Sequence, residues 1–217
     1  MKLYSAPISP FAARVRLSIY RKNLDIAIVP PPDGGLKGDA YLALNPMGQV
    51  PTLVLDDGFA IPESATILEY LEDRFPATSL RPDKAEDLAR ARLFLRLPDL
   101  YFLGAPRILL SVRNPGDRKP DVVASAMESL GRGLSYIDHF LDADSPWAAG
   151  GRASLGDCAL IPILNAVALV ERVYGRPDLI ARHSKVAAYW RAAQIEPINA
   201  RVIAEQMASV PKFGPPD

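Results

Sequence analysis

Apolar residues over the first 75 positions alternate between two periods, and the switches outline a small mixed sheet with helices on it. Thr52 to Leu55 is apolar and β-favouring, Asp57-Gly58 is a tight hairpin signal, and Phe59-Ala60-Ile61 reads as the returning strand. Ile67, Leu68, Leu71 and Phe75 then recur at helical spacing, so a helix begins near Glu63. Upstream, Lys2-Leu3-Tyr4-Ser5 and Ile26-Ala27-Ile28-Val29 read as strands. Between them Phe11, Val15 and Ile19 form the apolar stripe of a helix with Ser9 as N-cap and Pro10 at its first position. Arg21-Lys22 suits that helix's C-terminal dipole. Residues 30–35, Pro-Pro-Pro-Asp-Gly-Gly, end the second strand, and a short helix around Asp39 to Leu44 leads back to the hairpin. The order is β-α-β-α-β-β-α.

After Phe75 the pattern changes. Residues 76–83 are turn formers, and every later periodic stretch is helical. Lys84 to about Val112 is expected to bend or break near Pro98 and Pro106, and Asn114-Pro115-Gly116-Asp117 ends it. A long helix follows from Pro120 to Leu141. Another opens at Ser154-Leu155-Gly156-Asp157, a capping-box arrangement. Leu160, Ile161, Leu164 and Val167 make that helix apolar on nearly every side, which places it at the centre of an all-α domain. Ser184 to Val210 supplies the last helices. The reading is an α/β domain over residues 1–76 and an all-helical domain over 84–217.

Composition narrows the partners. The 217-residue chain has a formal net charge of zero, which gives no electrostatic case for nucleic acid or an acidic membrane. The longest apolar run, Cys158 to Val170, is about 13 residues and is too short to span a bilayer. Cys158 is the only cysteine, which excludes an internal disulfide, and Met1-Lys2-Leu3-Tyr4 carries no apolar signal segment, so a cytoplasmic location is expected. With His139 and His183 the only histidines, a His-rich metal site is not expected.

The candidate chemistry lies around the hairpin. Pro51 opens a strand without an N–H to donate, leaving the Val50 backbone open to an extended, peptide-like ligand. Val50-Pro51 is also the one kind of linkage in which a cis bond is readily adopted. Glu63-Ser64 places a carboxylate and a hydroxyl at a helix N-terminus, where N–H groups and the dipole favour an anion. Together they suit both charges of an amino acid, although an edge-strand proline and an ordinary helix start account for the same residues.

With the helical domain behind it, this arrangement resembles the cytosolic glutathione transferase superfamily over nearly the whole chain. The residues that carry the resemblance are Ser9-Pro10-Phe11-Ala12-Ala13-Arg14-Val15-Arg16, similar to the first-helix motif of the serine classes, and Gln49-Val50-Pro51 with Glu63-Ser64. The fold it implies is a thioredoxin-like α/β N-terminal domain plus an all-α C-terminal domain. In the glutathione site so implied, the Val50 backbone pairs with the cysteinyl unit beside Pro51 and Phe11. Gln49 lies near the glycyl end, and Glu63 with Ser64 holds the γ-glutamyl end. Ser9 is the catalytic residue: its hydroxyl donates to the sulfur and favours thiolate, with Tyr4 and Ser5 as alternative donors. Ser at position 9 argues against the disulfide exchange of the cysteine classes. The implied electrophile pocket takes Ile8 from the first domain and Tyr101, Phe102 and Arg107 from the second, where Phe102 equally suits helix packing.

The expected activity is conjugation of glutathione, as co-substrate without a metal, to a small hydrophobic electrophile. A detoxifying cytoplasmic homodimer is implied. The alternatives are a glutathione-dependent cis-trans isomerase of the maleylacetoacetate type and a non-catalytic binding module. Residues 45–53 and 155–162 are most similar to the zeta class, which includes those isomerases. Ser9-Pro10-Phe11 stands where zeta proteins carry Ser-Ser-Cys and is closer to the tau class. The Arg that zeta proteins place shortly after Asn-Ala is also missing: Asn165-Ala166 leads into Val167-Ala168-Leu169, with Arg172 a turn further on.

Overall fold

The computed structural model describes residues 1–102 and 104–210. Its chain divides into two compact units, Met1–Ser79 with the segment from Pro197, and Leu80–Glu196.

The first unit contains β1 (Lys2–Tyr4), α1 (Pro10–Arg21), β2 (Ala27–Val29), α2 (Asp39–Leu42), β3 (Thr52–Val54), β4 (Ala60–Pro62) and α3 (Ser64–Arg74). The strands form one sheet in the order β2-β1-β3-β4, with β1 and β2 parallel and the remaining pairs antiparallel. Register aligns Leu3 with Leu53 and Leu53 with Ile61, putting three apolar side chains on one face. Val15 and Ile19 of α1 and Ile67 and Leu71 of α3 complete a core with them. Each such fully buried side chain contributes about 1.5–3 kcal/mol. The mixed sheet and the helices over it are those expected from the periodicity, and together they form the thioredoxin-like unit that the resemblance implies. The returning strand begins at Ala60, one residue later than expected, because Phe59 lies in the turn and is 64% exposed.

α1 is buried well beyond its stripe. Every residue from Ala12 to Ile19 is buried, Arg14 and Arg16 among them, and so is Lys22 just past its end. Lys22 was expected to complement the C-terminal dipole of α1. Instead its Nζ donates to Glu72 Oε1 at 2.8 Å and to the carbonyls of Phe75 and Thr78 at 3.0 and 2.9 Å. Ser79 Oγ donates to the second Glu72 oxygen at 2.6 Å, so the charge pair is enclosed by hydrogen bonds.

α9 (Pro197–Ala208) packs on α1 and belongs to the first unit. This corrects the division at residues 76–84, which assigned the whole chain end to the helical domain. Residues 211–217 of that assignment lie outside the described residues. The physical reason lies in α1's cations: Arg16 Nε donates to Glu205 and Arg21 Nη2 to Asn199, both on α9.

The second unit is entirely helical among the described residues: α4 (Ala85–Tyr101), α5 (Gly104–Ser111), α6 (Pro120–Phe140), α7 (Leu155–Tyr174) and α8 (Ser184–Ile195). α4 runs through Pro98 and ends at Tyr101, and Pro106 falls in the first turn of α5, where a missing N–H is tolerated. The break therefore lies between the two prolines. α7 is central as expected, with Leu155 to Asn165 buried in succession and Cys158 wholly inaccessible. Its capping box forms: Asp157 Oδ2 accepts from Ser154 N–H and Oγ at 2.8 and 2.9 Å. Asp157 Oδ1 accepts from Ala148 N–H at 3.0 Å and the Tyr189 hydroxyl at 2.9 Å. Burial pushes the Asp157 carboxyl above its ordinary range, and these four hydrogen bonds oppose the rise. No helix of the described residues is long and apolar enough to cross a membrane, and no cluster among them is suited to a metal ion.

The enclosed Lys22–Glu72 pair yields a stability test. Lys22→Met should lower unfolding free energy by about 3–5 kcal/mol in denaturant titration, because Glu72 keeps its charge without its partner. Adding Glu72→Leu, which removes the second charge, should recover part of that loss.

Candidate functional site

Six of the residues singled out for a peptide ligand come together in one cleft of the first unit: Phe11, Gln49, Val50, Pro51, Glu63 and Ser64. Asn45 completes the lining. The cleft encloses about 50 Å3.

The Val50–Pro51 peptide is cis, and Val50 lies outside β3, whose ladder starts at Thr52. Among the described residues, neither the N–H nor the carbonyl of Val50 is hydrogen-bonded. Its neighbour is firmly held: the Gln49 carbonyl accepts from the Tyr41 hydroxyl at 2.6 Å and from Asn45 Nδ2 at 2.9 Å. Asn45, almost wholly buried, also donates to Thr52 Oγ1 at 3.0 Å and accepts from Met47 N–H at 3.1 Å. The loop is thus pinned around Val50, whose own backbone pair stays available. The Asn45 side chain's grip on Gln49 was not read from the sequence. A short polar residue that can form a local turn was the available signal.

At the opposite end, α3 starts at Ser64 and its first N–H groups lack intrahelical acceptors. Glu63 precedes it with φ 69° and ψ 117°, a sparsely populated positive-φ conformation that costs a non-glycine residue about 1–3 kcal/mol. Backbone strain of this kind concentrates at ligand sites. Glu63 is exposed while Ser64 is buried, and beneath Ser64 the wholly buried Arg14 donates from Nη1 to Ser64 Oγ at 3.4 Å. The Arg14 guanidinium also lies 5.0 Å from the centre of the Phe11 ring. Sequence reasoning gave Arg14 no role. An Arg inside the buried face of α1 was the overlooked signal.

Ser9 is half-buried at the N-terminus of α1 and is not part of the cleft lining. Its Oγ accepts from Ala12 N–H at 3.2 Å, as expected of a cap. No described residue accepts from its hydroxyl, whose hydrogen therefore remains available for donation. The alternative donors are built into the scaffold. Ser5 is buried and accepts from Arg16 Nη1 at 2.8 Å, and Tyr4 lies in β1 with its ring edge-on to Tyr41.

Of the four residues expected at an electrophile, Ile8 is 45% exposed in the loop before Ser9. Tyr101, at the end of α4, is 55% exposed and meets Tyr136 edge-on at 5.8 Å. Arg107 on α5 is exposed. Phe102 is 2% exposed and takes up the space beside Gly133, where an added Cβ would lie 2.3 Å from its ring. Phe102 is therefore core of the helical unit, because α6 offers it a glycine-lined slot. Leu103, within the same stretch, lies outside the described residues.

The geometry defines a thioredoxin-like unit carrying this cleft, followed in the chain by an all-helical unit. A family model described as "Glutathione S-transferase, N-terminal domain" matches residues 3–79. The chain is 35% identical to maleylacetoacetate isomerase of Pseudomonas aeruginosa over 76% of its own length and 81% of that protein's. It is 31% identical to a probable glutathione S-transferase of Zea mays over 94% and 93% of the two lengths. Among solved structures it is similar to a glutathione S-transferase from Methylobacterium radiotolerans in complex with glutathione sulfonate, with a TM-score of 0.77, 26% identity and 93% of each chain covered. The chain belongs to the cytosolic glutathione transferase superfamily, as a glutathione-dependent enzyme.

The Gly133 slot is open to test in the helical unit. Gly133→Ala should destabilise the protein by about 1–3 kcal/mol in thermal or denaturant unfolding, because the methyl group must displace the Phe102 ring. Combining it with Phe102→Leu should return part of that loss.

Proposed function

We propose that the protein conjugates the thiolate of glutathione to a small hydrophobic electrophile. The observation that carries this reading is the unused backbone pair of Val50 in the same cleft as Ser64 and the strained Glu63. An extended γ-glutamyl-cysteinyl-glycine chain has complementary groups in the same order. Its cysteinyl amide pairs with Val50, and its glycyl end lies near Gln49. The γ-glutamyl carboxylate meets the Ser64 hydroxyl and the N-terminus of α3, and the γ-glutamyl ammonium meets the Glu63 carboxylate. Arg14 beneath Ser64 adds positive charge on the carboxylate's side.

Ser9 acts at the sulfur. A free thiol has a pKa of about 8.5, so little is ionised at neutral pH. The Ser9 O–H donates to the thiolate and the α1 N-terminus favours negative charge, and both lower the thiol pKa. The thiolate then forms a carbon–sulfur bond with the electrophile as a leaving group departs, or as a double bond's electron pair moves onward and takes up a proton. Ser9 remains an oxygen donor throughout and forms no covalent bond.

A second reading is supported by the 35% identity to an isomerase: glutathione adds to a conjugated double bond, rotation follows, and glutathione is released. The buried Val167 and the Ala168-Leu169 after Asn165-Ala166 weigh against it, since a carboxylated substrate is best met by an Arg there. Product analysis separates the two. Conjugation accumulates a thioether and consumes glutathione, whereas isomerisation returns glutathione in full.

Two substitutions test the roles. Ser64→Ala should weaken glutathione binding by about 1–3 kcal/mol, the usual loss for a hydrogen bond to a charged group, and leave cysteinylglycine binding unchanged. Equal losses for both ligands would make Ser64 structural. Ser9→Ala should leave glutathione affinity nearly intact, raise the pKa of the bound thiol and reduce turnover of chlorodinitrobenzene about ten-fold for each pKa unit lost. The missing N-cap should separately lower stability by about 1 kcal/mol, so rates are compared well below the melting temperature.

A further inference from the structure

The loop that carries Ser9 is held chiefly by one side chain. Its backbone contributes Ser5 N–H to the Val29 carbonyl at 2.8 Å and Ser9 N–H to the Ala6 carbonyl at 3.0 Å, and Pro7 has no N–H to offer. Arg16, 3% exposed, reaches back from α1 and supplies the rest. Its Nη1 donates to Ser5 Oγ at 2.8 Å and to the Ala6 carbonyl at 3.2 Å, and its Nη2 donates to the Pro7 carbonyl at 2.9 Å. The Ala6 carbonyl is thus shared by Arg16 and the Ser9 backbone.

Arg16 is held in turn from the far end of the chain. Its Nε donates to Glu205 Oε2 at 3.1 Å across 189 residues of sequence. Glu205 also accepts from the Tyr20 hydroxyl at 3.0 Å and from Arg201 Nε at 3.1 Å, and the Arg201 guanidinium stacks 3.7 Å from the centre of the Tyr20 ring. The guanidinium is planar and rigid, so fixing Nε on Glu205 fixes the direction of both Nη groups toward the loop.

We propose that Arg16, oriented by Glu205 of α9, is a positioning residue that aims the Ser9 hydroxyl at the sulfur and so sets the acidity of bound glutathione. The inference rests on Ser9 being the thiolate donor. It goes beyond that assignment by making the C-terminal helix part of the thiol-activating machinery. Hydrogen bonds weaken steeply as they lengthen or bend, so a small displacement of the Ala6–Ile8 loop reaches Ser9 directly. Glutathione's ends bind elsewhere, at Val50, Gln49 and Glu63-Ser64, and are untouched by that displacement.

The test is a mutant cycle read by the pKa of bound glutathione, from thiolate absorbance against pH, and by turnover of chlorodinitrobenzene. Arg16→Lys replaces the fork with a single ammonium that cannot span Ser5, Ala6, Pro7 and Glu205 together. It should raise the bound thiol pKa by about one unit and lower kcat about ten-fold, with the glutathione Kd within about two-fold of the parent. Glu205→Gln keeps the shape and loosens the hold on Arg16 Nε, along with the contacts to Tyr20 and Arg201, while leaving the Arg16 fork on the loop in place. It should raise the bound thiol pKa by about half a unit and lower kcat about three-fold, and it serves if Arg16→Lys fails to fold. In a Ser9→Ala background neither change should move the thiol pKa further. If Ser9→Ala raises the pKa while folded Arg16→Lys and Glu205→Gln leave it unchanged, the positioning role is overturned and the Ser9 assignment stands. Equal effects with and without Ser9 overturn it too, because Arg16 would then act on the thiolate by itself. If Ser9→Ala leaves the pKa unchanged, the Ser9 assignment falls and this inference with it.

Discussion

A cation removed from water has to find oxygen, and α1 takes three of them inside. Arg14, Arg16 and Lys22 are all nearly inaccessible, on or just beyond a helix buried for eight consecutive residues. Leaving such charges unmatched would cost more than the helix gains by its apolar contacts. Each has therefore recruited different parts of the chain: Arg14 the start of α3, Arg16 the β1–α1 loop and α9, Lys22 the end of α3 and the turn after it. The requirement to satisfy these donors explains why the first unit closes around α1, and why it includes a helix that arrives about 135 residues after the sheet is finished.

The cleft is a by-product of the same economy of backbone groups. Tyr41 and Asn45 meet the Gln49 carbonyl from inside, so the loop before β3 needs no partner from solvent. Val50, next to it, then has a fixed position and an unmet donor and acceptor. The positive-φ turn at Glu63 delivers the carboxylate outward and Ser64 inward at adjacent positions, which a relaxed helix start would not do. A rigid frame with a few deliberately unpaired groups is what binding without induced rearrangement requires.

Local chemistry made much of this legible in the sequence. Asp57-Gly58 marked the hairpin, Ser9-Pro10 the start of α1, and Ser154 with Asp157 the start of α7, because each signal is completed within a few residues. Pro51 and Glu63-Ser64 stood out as candidates because backbone without partners can be inferred from proline and helix ends, and the structure brings them into one cleft. What stayed hidden depended on distant partners. Periodicity shows that α9 is a helix but not which unit its polar face serves, and nothing near Arg16 announces Glu205. Lys22 read only as a complement to the helix dipole, since its carboxylate partner lies 50 positions away. Prolines misled for a different reason: Pro98 is accommodated inside α4, and the break falls beyond it.

Cys158 lies without solvent exposure in the most buried stretch of α7. Thiol–disulfide exchange needs a thiolate that can be reached, so this sulfur is withheld from the oxidised form of the very tripeptide the family handles. Oxidants that convert glutathione to its disulfide would leave the protein's own sulfur reduced. In the folded state a thiol-reactive dye would report the ligand's sulfur alone, and the appearance of a protein thiol in such an assay would be a direct signal that the helical unit had opened.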